Sequence, residues 1–337
     1  MKIVYHDRYL DHIQNQGHPE SPRRLQAIKD RLKEEGLWNN VITPGPATTD
    51  QVKSVHTPQY ISYLENFGEG YLDPDTYSRE ETFEIALLAA GGALEAARLM
   101  WENKETVFAL PRPPGHHAES GSSGGFCYIN NIAVAAKSIV PRAKRVAVID
   151  IDVHHGNGTN EMFHKTDEVF YSSTHQYGIF PGTGSIQDVG YADGEGFTMN
   201  IPLTWKMGDS TFYSAYRDII FPAIRQYKPG AILVSIGGDA HYMDPLAGLT
   251  LSTAGYLELV KEMMDLAGDL CQGRIGFYLE GGYDVDVLAE IMAGAVGLSV
   301  GKKVSTKHNK VYDDSVMGSD IIRSAEAIQG EYWDLSL

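Results

Sequence analysis

Short apolar segments rich in β-branched residues alternate with longer segments of helical periodicity along most of this chain, and this alternation most constrains its fold. The apolar segments predict strands at Met1–Tyr5, Thr106–Leu110, Arg145–Asp152, Val169–Thr174, Ala231–Ile236 and Arg274–Leu279. The longer segments predict helices at Pro22–Glu35, Thr82–Glu102, Asn130–Ser138, Ser210–Tyr227, Thr253–Gln272 and Val285–Val300. Continuously apolar strands are typical of a sheet that helices cover on both faces. The pattern therefore predicts an α/β fold with a parallel, doubly wound sheet.

The chain has 337 residues and shows no internal repeat and no Pro- or Ser-rich linker, so we expect one domain over residues 1–337. The sequence motifs lie in the first 300 residues. Residues 301–314 are polar and predict a loop, and Ser319–Tyr332 predicts a last helix. Polar residues before two helical segments, Asp209-Ser210 and Ser252-Thr253, predict N-terminal caps.

Charge and composition exclude several classes of function. The formal net charge of −16 argues against nucleic-acid binding as the main role, because phosphates are bound by Lys and Arg. An acidic surface suits a cationic substrate, although solubility is the simpler explanation. No apolar run is long enough to span a membrane, and the N-terminus lacks the apolar core of a signal peptide. Cys127 and Cys271 lie far apart, which predicts reduced thiols and a cytoplasmic location.

A predicted strand ends in Asp150, Asp152 and His154, which alternate with apolar residues. Alternate side chains on a strand share a face, so these three residues are expected to point the same way. Asp239 follows another strand, and the carboxyl ends of parallel strands are where sites form. Asp152, His154 and Asp239 together predict a metal site whose open positions are typical of catalytic zinc. Either aspartate alone would more simply be a helix cap or an ion-pair partner.

Two adjacent histidines, His116 and His117, follow a segment of prolines and glycine that stiffens the backbone. A pair held in this way indicates either two metal ligands or an acid/base pair. Each imidazole needs a partner that orients it, and Asp150 is available for one and Asn157 for the other. A carboxylate partner keeps an imidazole more basic than an amide partner does, which would separate the two roles.

Three aromatic residues follow glycine or lie on predicted loops. Tyr283 follows Gly281-Gly282, and its phenol could donate a hydrogen bond to a developing oxyanion. Phe126 and Phe180 could line a narrow apolar channel. Taken by themselves, the two phenylalanines are more simply explained as core residues, and position alone does not distinguish Tyr283 from a tyrosine packed on a turn.

These motifs occur in the order typical of the histone deacetylase family, which has the arginase–deacetylase fold, and the chain resembles that family. The resemblance extends from His18-Pro19-Glu20-Ser21-Pro22 to about Gly297. The resemblance implies a single-domain, three-layer αβα structure with a mostly parallel central sheet. It implies one zinc ion held by Asp152, His154 and Asp239, and active-site roles for His116, His117 and Tyr283. It also implies a substrate tunnel lined by Gly125, Phe126, Phe180 and Leu246.

The resemblance further implies structural K⁺ or Na⁺ ions. One site would use Asp150, Ser173 and backbone carbonyls near Asp152, His154 and Thr174. A second site would use the backbone at Phe163, Thr166 and Val169.

Several positions depart from parts of the family pattern. Asn157 stands where class I deacetylases have Asp, so the chain resembles the class II, bacterial and archaeal branch. Gly238 stands where that branch often has Phe. His241 replaces a carboxylate that arginases need, which argues against a two-manganese site. Leu246 occupies a rim position where a polyamine-selective relative carries Glu. An apolar rim favours acyl-lysine over a cationic polyamine.

The resemblance implies a zinc-dependent amidohydrolase that removes acetyl or other acyl groups from lysine side chains of proteins. An acetylpolyamine amidohydrolase, acting on a small acetylated amine, is the first alternative. A non-catalytic acyl-lysine binding module and a hydrolase of another small amide or ester are the others. No nucleic acid or membrane partner is expected, and a homo-oligomer is left open.

Overall fold

Eight parallel strands form the central sheet in the computed structural model of the protein, which describes residues 1–336. The strands of this sheet are β1 (Lys2–Val4), β2 (Val41–Ile42), β5 (Val107–Ala109), β6 (Val146–Asp150), β7 (Val169–Gln176), β8 (Thr198–Leu203), β9 (Ala231–Ile236) and β10 (Ile275–Leu279). Two further strands, β3 (Gly70–Tyr71) and β4 (Tyr77–Ser78), form a separate antiparallel pair. Within the six strands β5 to β10, every residue is buried except the last residue of β7.

Helices cover both faces of this sheet. They are α1 (Pro22–Glu34), α2 (Thr49–Val52), α3 (Pro58–Phe67), α4 (Thr82–Asn103), α5 (Asn131–Ala143), α6 (Asn157–Phe163), α7 (Asp209–Ser214), α8 (Phe221–Tyr227), α9 (Thr253–Cys271), α10 (Val285–Ser299) and α11 (Ser319–Gln329). A π-helical segment, Ala215–Ile220, joins α7 to α8, and short 3₁₀ helices lie at Asp7–Asp11 and Ala192–Gly194. None of the helices within residues 1–336 is both long and apolar enough to span a membrane.

Alternate residues of the strands contribute to two separate cores. In β6, Ala147 and Ile149 belong to the core that also contains buried residues of α1, α9 and α10, whereas Val146 and Val148 belong to the core that contains those of α4 and α5. This division is the expected result of a strand buried on both faces. The predicted three-layer αβα arrangement with a parallel sheet is therefore confirmed.

The order of the strands determines where the site forms. The order is β2-β1-β5-β10-β9-β6-β7-β8, so β10 and β9 lie between β5 and β6. The carboxyl ends of these four central strands are adjacent, and the segments that follow them meet at one edge of the sheet. The segments after β5, β6, β9 and β10 carry the predicted catalytic and zinc-binding residues, whereas Phe180 of the predicted tunnel follows β7.

Some predicted boundaries were wrong. The strand predicted to reach Asp152 ends at Asp150, because Asp150 Oδ1 accepts a hydrogen bond from the Asp152 N–H and Asp152 Oδ1 accepts one from the His154 N–H. These turns continue the chain away from the sheet, so strand alternation is not what aligns Asp152 with His154. Strand β8 was not predicted, since it contains Pro202, which an edge strand tolerates. Helices α3 and α6 were not predicted either.

The two predicted caps have different outcomes. Ser252 caps α9, because its side chain accepts a hydrogen bond from the Gly255 N–H. Asp209 does not cap α7 but is its first residue, and its carboxylate accepts hydrogen bonds from the N–H and the hydroxyl of Ser252. The cap of α7 comes from Asp314, whose carboxylate accepts three backbone N–H groups between residues 208 and 211 at 2.6–3.1 Å. The polar segment before α11 is thereby attached to the body of the protein.

Candidate active site

Asp152, His154 and Asp239 converge where β6 and β9 end. One potential ligand atom from each residue lies within 4.8 Å of the others, and we call this group the carboxylate–histidine cluster. His154 Nδ1 lies 3.2 Å from an oxygen of each carboxylate. Backbone N–H groups fix the carboxylates from behind: Gly281 donates to Asp152 Oδ2 at 2.7 Å and Val153 donates to Asp239 Oδ1 at 3.1 Å.

Glycines surround the cluster and leave no room for any other residue. A Cβ atom at Gly237 would overlap Asp152 Oδ2, and one at Gly281 would overlap Asp239 Oδ2. The sequence indicates Gly281 only as part of a turn and does not reveal these contacts. The carboxylates are thus packed against the backbone at Gly237 and Gly281, which together with the backbone N–H groups restricts the direction of their oxygens.

The electrostatics of the cluster fit a bound cation. Burial and the Asp152 charge raise the pKa of Asp239. Burial would also raise the pKa of Asp152, but His116 and His154 outweigh it and hold that pKa below its usual range. Within residues 1–336, Asp239 Oδ2 is buried and accepts no hydrogen bond. Two carboxylate oxygens and one imidazole nitrogen are a donor set that zinc accepts.

The two histidines lie beside the cluster and have different partners. His116 Nδ1 is 3.0 Å from Asp150 Oδ2, and His117 Nδ1 is 2.9 Å from Asn157 Oδ1. Burial opposes the charge on both rings, but Asp150 raises the pKa of His116 to about 10. Burial together with the neighbouring His116 and His154 holds the pKa of His117 well below its ordinary value. The two environments therefore favour the neutral form of His117 and the charged form of His116.

A buried carboxylate that the sequence analysis did not single out holds the histidine segment. Glu280 Oε2 accepts hydrogen bonds from the backbone N–H groups of Gly115 at 2.7 Å and His116 at 3.2 Å. Burial raises the pKa of Glu280 to about 7. Its place directly after β10 was a signal in the sequence, but the partner segment follows β5, and only the strand order brings the two together.

Tyr283 follows β10 and is positioned through its backbone and its ring. Its N–H donates to Asp244 Oδ2 at 2.6 Å. The Arg24 guanidinium lies 5.1 Å from the ring centroid, and the ring of Phe126 lies edge-on at 5.9 Å. Burial raises the pKa of Tyr283 well above its usual value, so the hydroxyl remains a hydrogen-bond donor at neutral pH. Asp244 and Arg24 were not predicted as site residues.

A cavity of about 360 Å³ leads from the surface to this site. All four residues expected to form a tunnel line it: Gly125, Phe126, Phe180 and Leu246. Four residues that were not predicted to line a tunnel do so as well: His18, Pro19, Asp75 and Ile179. His117, His154 and Tyr283 form its inner end. Phe126 has a positive φ of 70°, which is unusual for a residue with a side chain, and its N–H donates to Thr76 Oγ1 at 3.0 Å.

The residues expected at monovalent cation sites lie on the strands beside the cluster. Asp150 of β6 pairs in register with Ser173 of β7, and both are fully buried. The next residue, Thr174, shares a hydrogen bond with the Tyr216 hydroxyl at 3.0 Å. The second group, Phe163, Thr166 and Val169, spans the turn from α6 into β7, where the Thr166 N–H donates to the Phe163 carbonyl.

Comparison with known proteins agrees with this geometry. The family model for the histone deacetylase domain matches residues 18–298. The chain belongs to the histone deacetylase family. It is 40% identical over 292 residues to a probable deacetylase of Archaeoglobus fulgidus, covering 84% of this chain and 81% of that protein. It is 37% identical over 317 residues to the chloroplastic histone deacetylase 14 of Arabidopsis thaliana, covering 85% and 74%.

Solved structures show the fold. The crystal structure of the HDA15 HD domain superimposes with a TM-score of 0.89 at 32% identity and covers 99% of this chain and 97% of that one. The arginase–deacetylase fold expected from the sequence is confirmed. Family membership also supports a hydrolytic deacetylase acting on acetylated substrates, in a family that is generally zinc-dependent.

Proposed function

We propose that the protein is a zinc-dependent deacetylase that removes acetyl or other acyl groups from the side-chain amine of lysine in proteins. The observation that carries the proposal is the narrow cavity walled by Phe126 and Phe180, which ends at His117, Tyr283 and the carboxylate–histidine cluster. Apolar walls suit the methylenes of a lysine side chain, and the polar inner end suits its amide.

Zinc would be held by Asp152, His154 and Asp239. Three protein ligands leave positions for water and substrate, as in catalytic zinc sites. When bound, zinc supplies a Lewis acid that polarises a carbonyl and lowers the pKa of a water. Asp150 is not part of this set in the proposal, because its Oδ2 is engaged by His116.

His117 acts as the general base. It is neutral, its Nδ1 is engaged by Asn157, and its other ring nitrogen is therefore the one that accepts a proton from the attacking water. The water oxygen adds to the amide carbonyl. The C–N bond then breaks, and His117, or the pair that it forms with His116, returns a proton to the leaving amine. Rings 4.0 Å apart between centroids let the pair act together.

Tyr283 stabilises the oxyanion that forms on the carbonyl oxygen. Its hydroxyl stays protonated at neutral pH, and the residue lines the cavity together with His117 and His154. A preorganised donor aimed at developing negative charge lowers the barrier without any reorganisation during the reaction. The hydrogen bond from the Tyr283 N–H to Asp244 keeps this segment in place.

The preference for lysine over polyamine depends on the cavity mouth. Leu246 is 40% exposed there and offers no charge to a second amine. We expect the zinc-loaded protein to have a higher kcat/KM for acetyl-lysine peptides than for acetylpolyamines. Leu246→Glu should shift this ratio towards polyamines, whereas Met243→Glu, on a similarly exposed residue outside the cavity, should not. A higher kcat/KM for polyamines in the unaltered protein would favour the first alternative, and no turnover would favour a binding module.

The proposal includes a structural K⁺ or Na⁺ ion beside Asp150 and Ser173 and a second at residues 163–169. Paired burial of Asp150 and Ser173 on adjacent strands supports the first, since a buried carboxylate is stabilised by a cation. Replacing K⁺ and Na⁺ by choline at constant ionic strength should lower the melting temperature, and an unchanged value would contradict both ions.

A further inference from the structure

The side-chain amide of Asn157 has a direction, and that direction matters for His117. An amide presents an acceptor at Oδ1 and a donor at Nδ2. Only Oδ1 can accept a hydrogen bond from a proton on His117 Nδ1, and in that tautomer the second ring nitrogen carries a lone pair. A reversed amide would place a donor against Nδ1 and move the ring proton to Nε2. The ring could not then act as a base toward the cavity.

A second residue decides between these two directions. Asn157 Nδ2 donates to Glu119 Oε1 at 2.8 Å, while Asn157 Oδ1 lies 2.9 Å from His117 Nδ1. An ionised carboxylate only accepts hydrogen bonds, so it is compatible with the Nδ2 end of the amide and not with the Oδ1 end.

Glu119 is itself held in place. Its Oε2 accepts from the Ser122 hydroxyl at 3.2 Å, and its N–H donates to the Ser122 carbonyl at 2.9 Å. The Glu119 carbonyl lies 2.9 Å from His56 Nδ1, and His56 Nε2 accepts from the Asn130 N–H at 2.9 Å. Since Nε2 of His56 is an acceptor, its proton is on Nδ1 and is donated to Glu119. Both the backbone and the carboxylate of Glu119 are therefore fixed.

We propose that Glu119 is a positioning residue that orients the Asn157 amide and thereby fixes His117 in the tautomer with a proton on Nδ1 and a free Nε2. Glu119 does not touch the reacting atoms and acts only through Asn157. The catalytic consequence rests on the proposed function, in which His117 is the base, whereas the tautomer itself does not.

The chain offers a matched control. Glu161 lies one turn after Asn157 on the same helix and binds the same loop, because its carboxylate accepts from the N–H and the hydroxyl of Ser120 at 3.0 and 2.9 Å. It is a carboxylate that clamps the loop next to Glu119 without contacting the Asn157 amide. Glu161→Gln therefore tests loop anchoring separately from amide orientation.

The test is a double-mutant cycle of Glu119→Lys and Asn157→Asp. A lysine ammonium at position 119 only donates hydrogen bonds, so it binds the oxygen of the amide and turns the nitrogen toward His117. We expect kcat to fall about 10- to 100-fold with little change in KM, the range typical of residues that orient catalytic groups. Adding Asn157→Asp supplies an acceptor to both neighbours and should restore most of kcat. Effects that combine additively would overturn the proposal.

The ring tautomer provides a readout independent of turnover. Imidazole ¹⁵N NMR, with the His117 signals assigned by their loss in His117→Ala, should show a proton on Nδ1 in the unaltered protein, in Glu161→Gln and in the double variant. Glu119→Lys should show it on Nε2. Retention of the Nδ1 proton in Glu119→Lys would refute the inference. The expected tautomers in a protein without any amidase activity would refute the proposed function alone.

If Glu119→Lys does not fold, Glu119→Gln replaces it. A glutamine amide can donate or accept, so both directions of Asn157 become compatible with it. We expect signals of both His117 tautomers and a smaller loss of kcat. A single Nδ1-protonated form with full kcat would overturn the inference.

Discussion

Replacing Tyr283 by Phe tests the assignment of the oxyanion donor most directly. The contacts that hold this residue are its backbone N–H to Asp244, the Arg24 guanidinium 5.1 Å from the ring centroid and the edge-on ring of Phe126. Phenylalanine keeps all three. The substitution therefore removes one hydroxyl from the end of the cavity and leaves the surrounding packing in place.

The size of the effect follows from this geometry. Loss of one preorganised oxyanion donor costs about 100- to 1,000-fold in kcat, or about 2.7–4 kcal/mol of transition-state stabilisation. KM should change little, because the hydrogen bond strengthens only as charge develops on the oxygen. Zinc content should be unchanged, since Tyr283 is outside the carboxylate–histidine cluster, and the free energy of unfolding should change by less than about 0.5 kcal/mol.

The assay is steady-state hydrolysis of an acetyl-lysine peptide by zinc-loaded protein, with zinc quantified in each preparation. Tyr177→Phe removes the same hydroxyl from a tyrosine that is 52% exposed and does not line the cavity, and it should leave kcat unchanged. Turnover by Tyr283→Phe within a few-fold of the unaltered protein, with full zinc content, would refute the reasoning.

The remaining predictions concern metal binding and stability. Removal of zinc by a chelator should abolish turnover, and added zinc should restore it. Asp239→Ala should not retain zinc, and added zinc should not restore its turnover. Asp314→Ala should lower the free energy of unfolding in urea by about 1–2 kcal/mol through loss of the α7 cap, and Asp313→Ala, next to it but exposed, should not. Burial alone would raise the pKa of Glu20, but Arg112, His12 and Arg24 outweigh it and lower this pKa. The ionised Glu20 therefore stabilises the folded protein at neutral pH. This stabilisation is lost as the pH falls, first through the pKa of Glu20 in the unfolded chain and then through its lower pKa in the folded protein. Glu20→Gln should therefore destabilise the protein at pH 7, and the difference should shrink in acid; a difference independent of pH would contradict this.

The sequence predicts the layers and the site-bearing segments because both depend on local patterns. Buried strands are recognisable from their apolar residues. Asp150, Asp152 and Asp239 stand out because they are charged residues at or just after the ends of such strands. Strand β8 escapes because Asn200 and Pro202 interrupt its apolar pattern. Boundaries set by side-chain turns, as at Asp150, have no periodic signal either.

Residues that support the site from other segments are harder to predict. Glu280, Asp244 and Glu119 bind backbone or amide groups that are near them only in the folded protein. Their partners follow from the order of strands in the sheet and from loop paths, which neither composition nor spacing specifies. Asn157 was recognisable as a partner of one of the two histidines, but its own contact with Glu119 was not.

The position of β9 and β10 in the sheet has a consequence for the order in which the protein folds. These strands lie between β5 and β6, but they begin between 81 and 166 residues after those two strands end. A nascent chain that has not yet reached residue 231 leaves β5 without its neighbour β10 and β6 without its neighbour β9, so each of the two strands has an unpaired edge. Asp239 and the Gly281 N–H that fixes Asp152 arrive only with the late strands. Under the proposed function, the zinc site would therefore be complete only after β9 and β10 have joined the sheet.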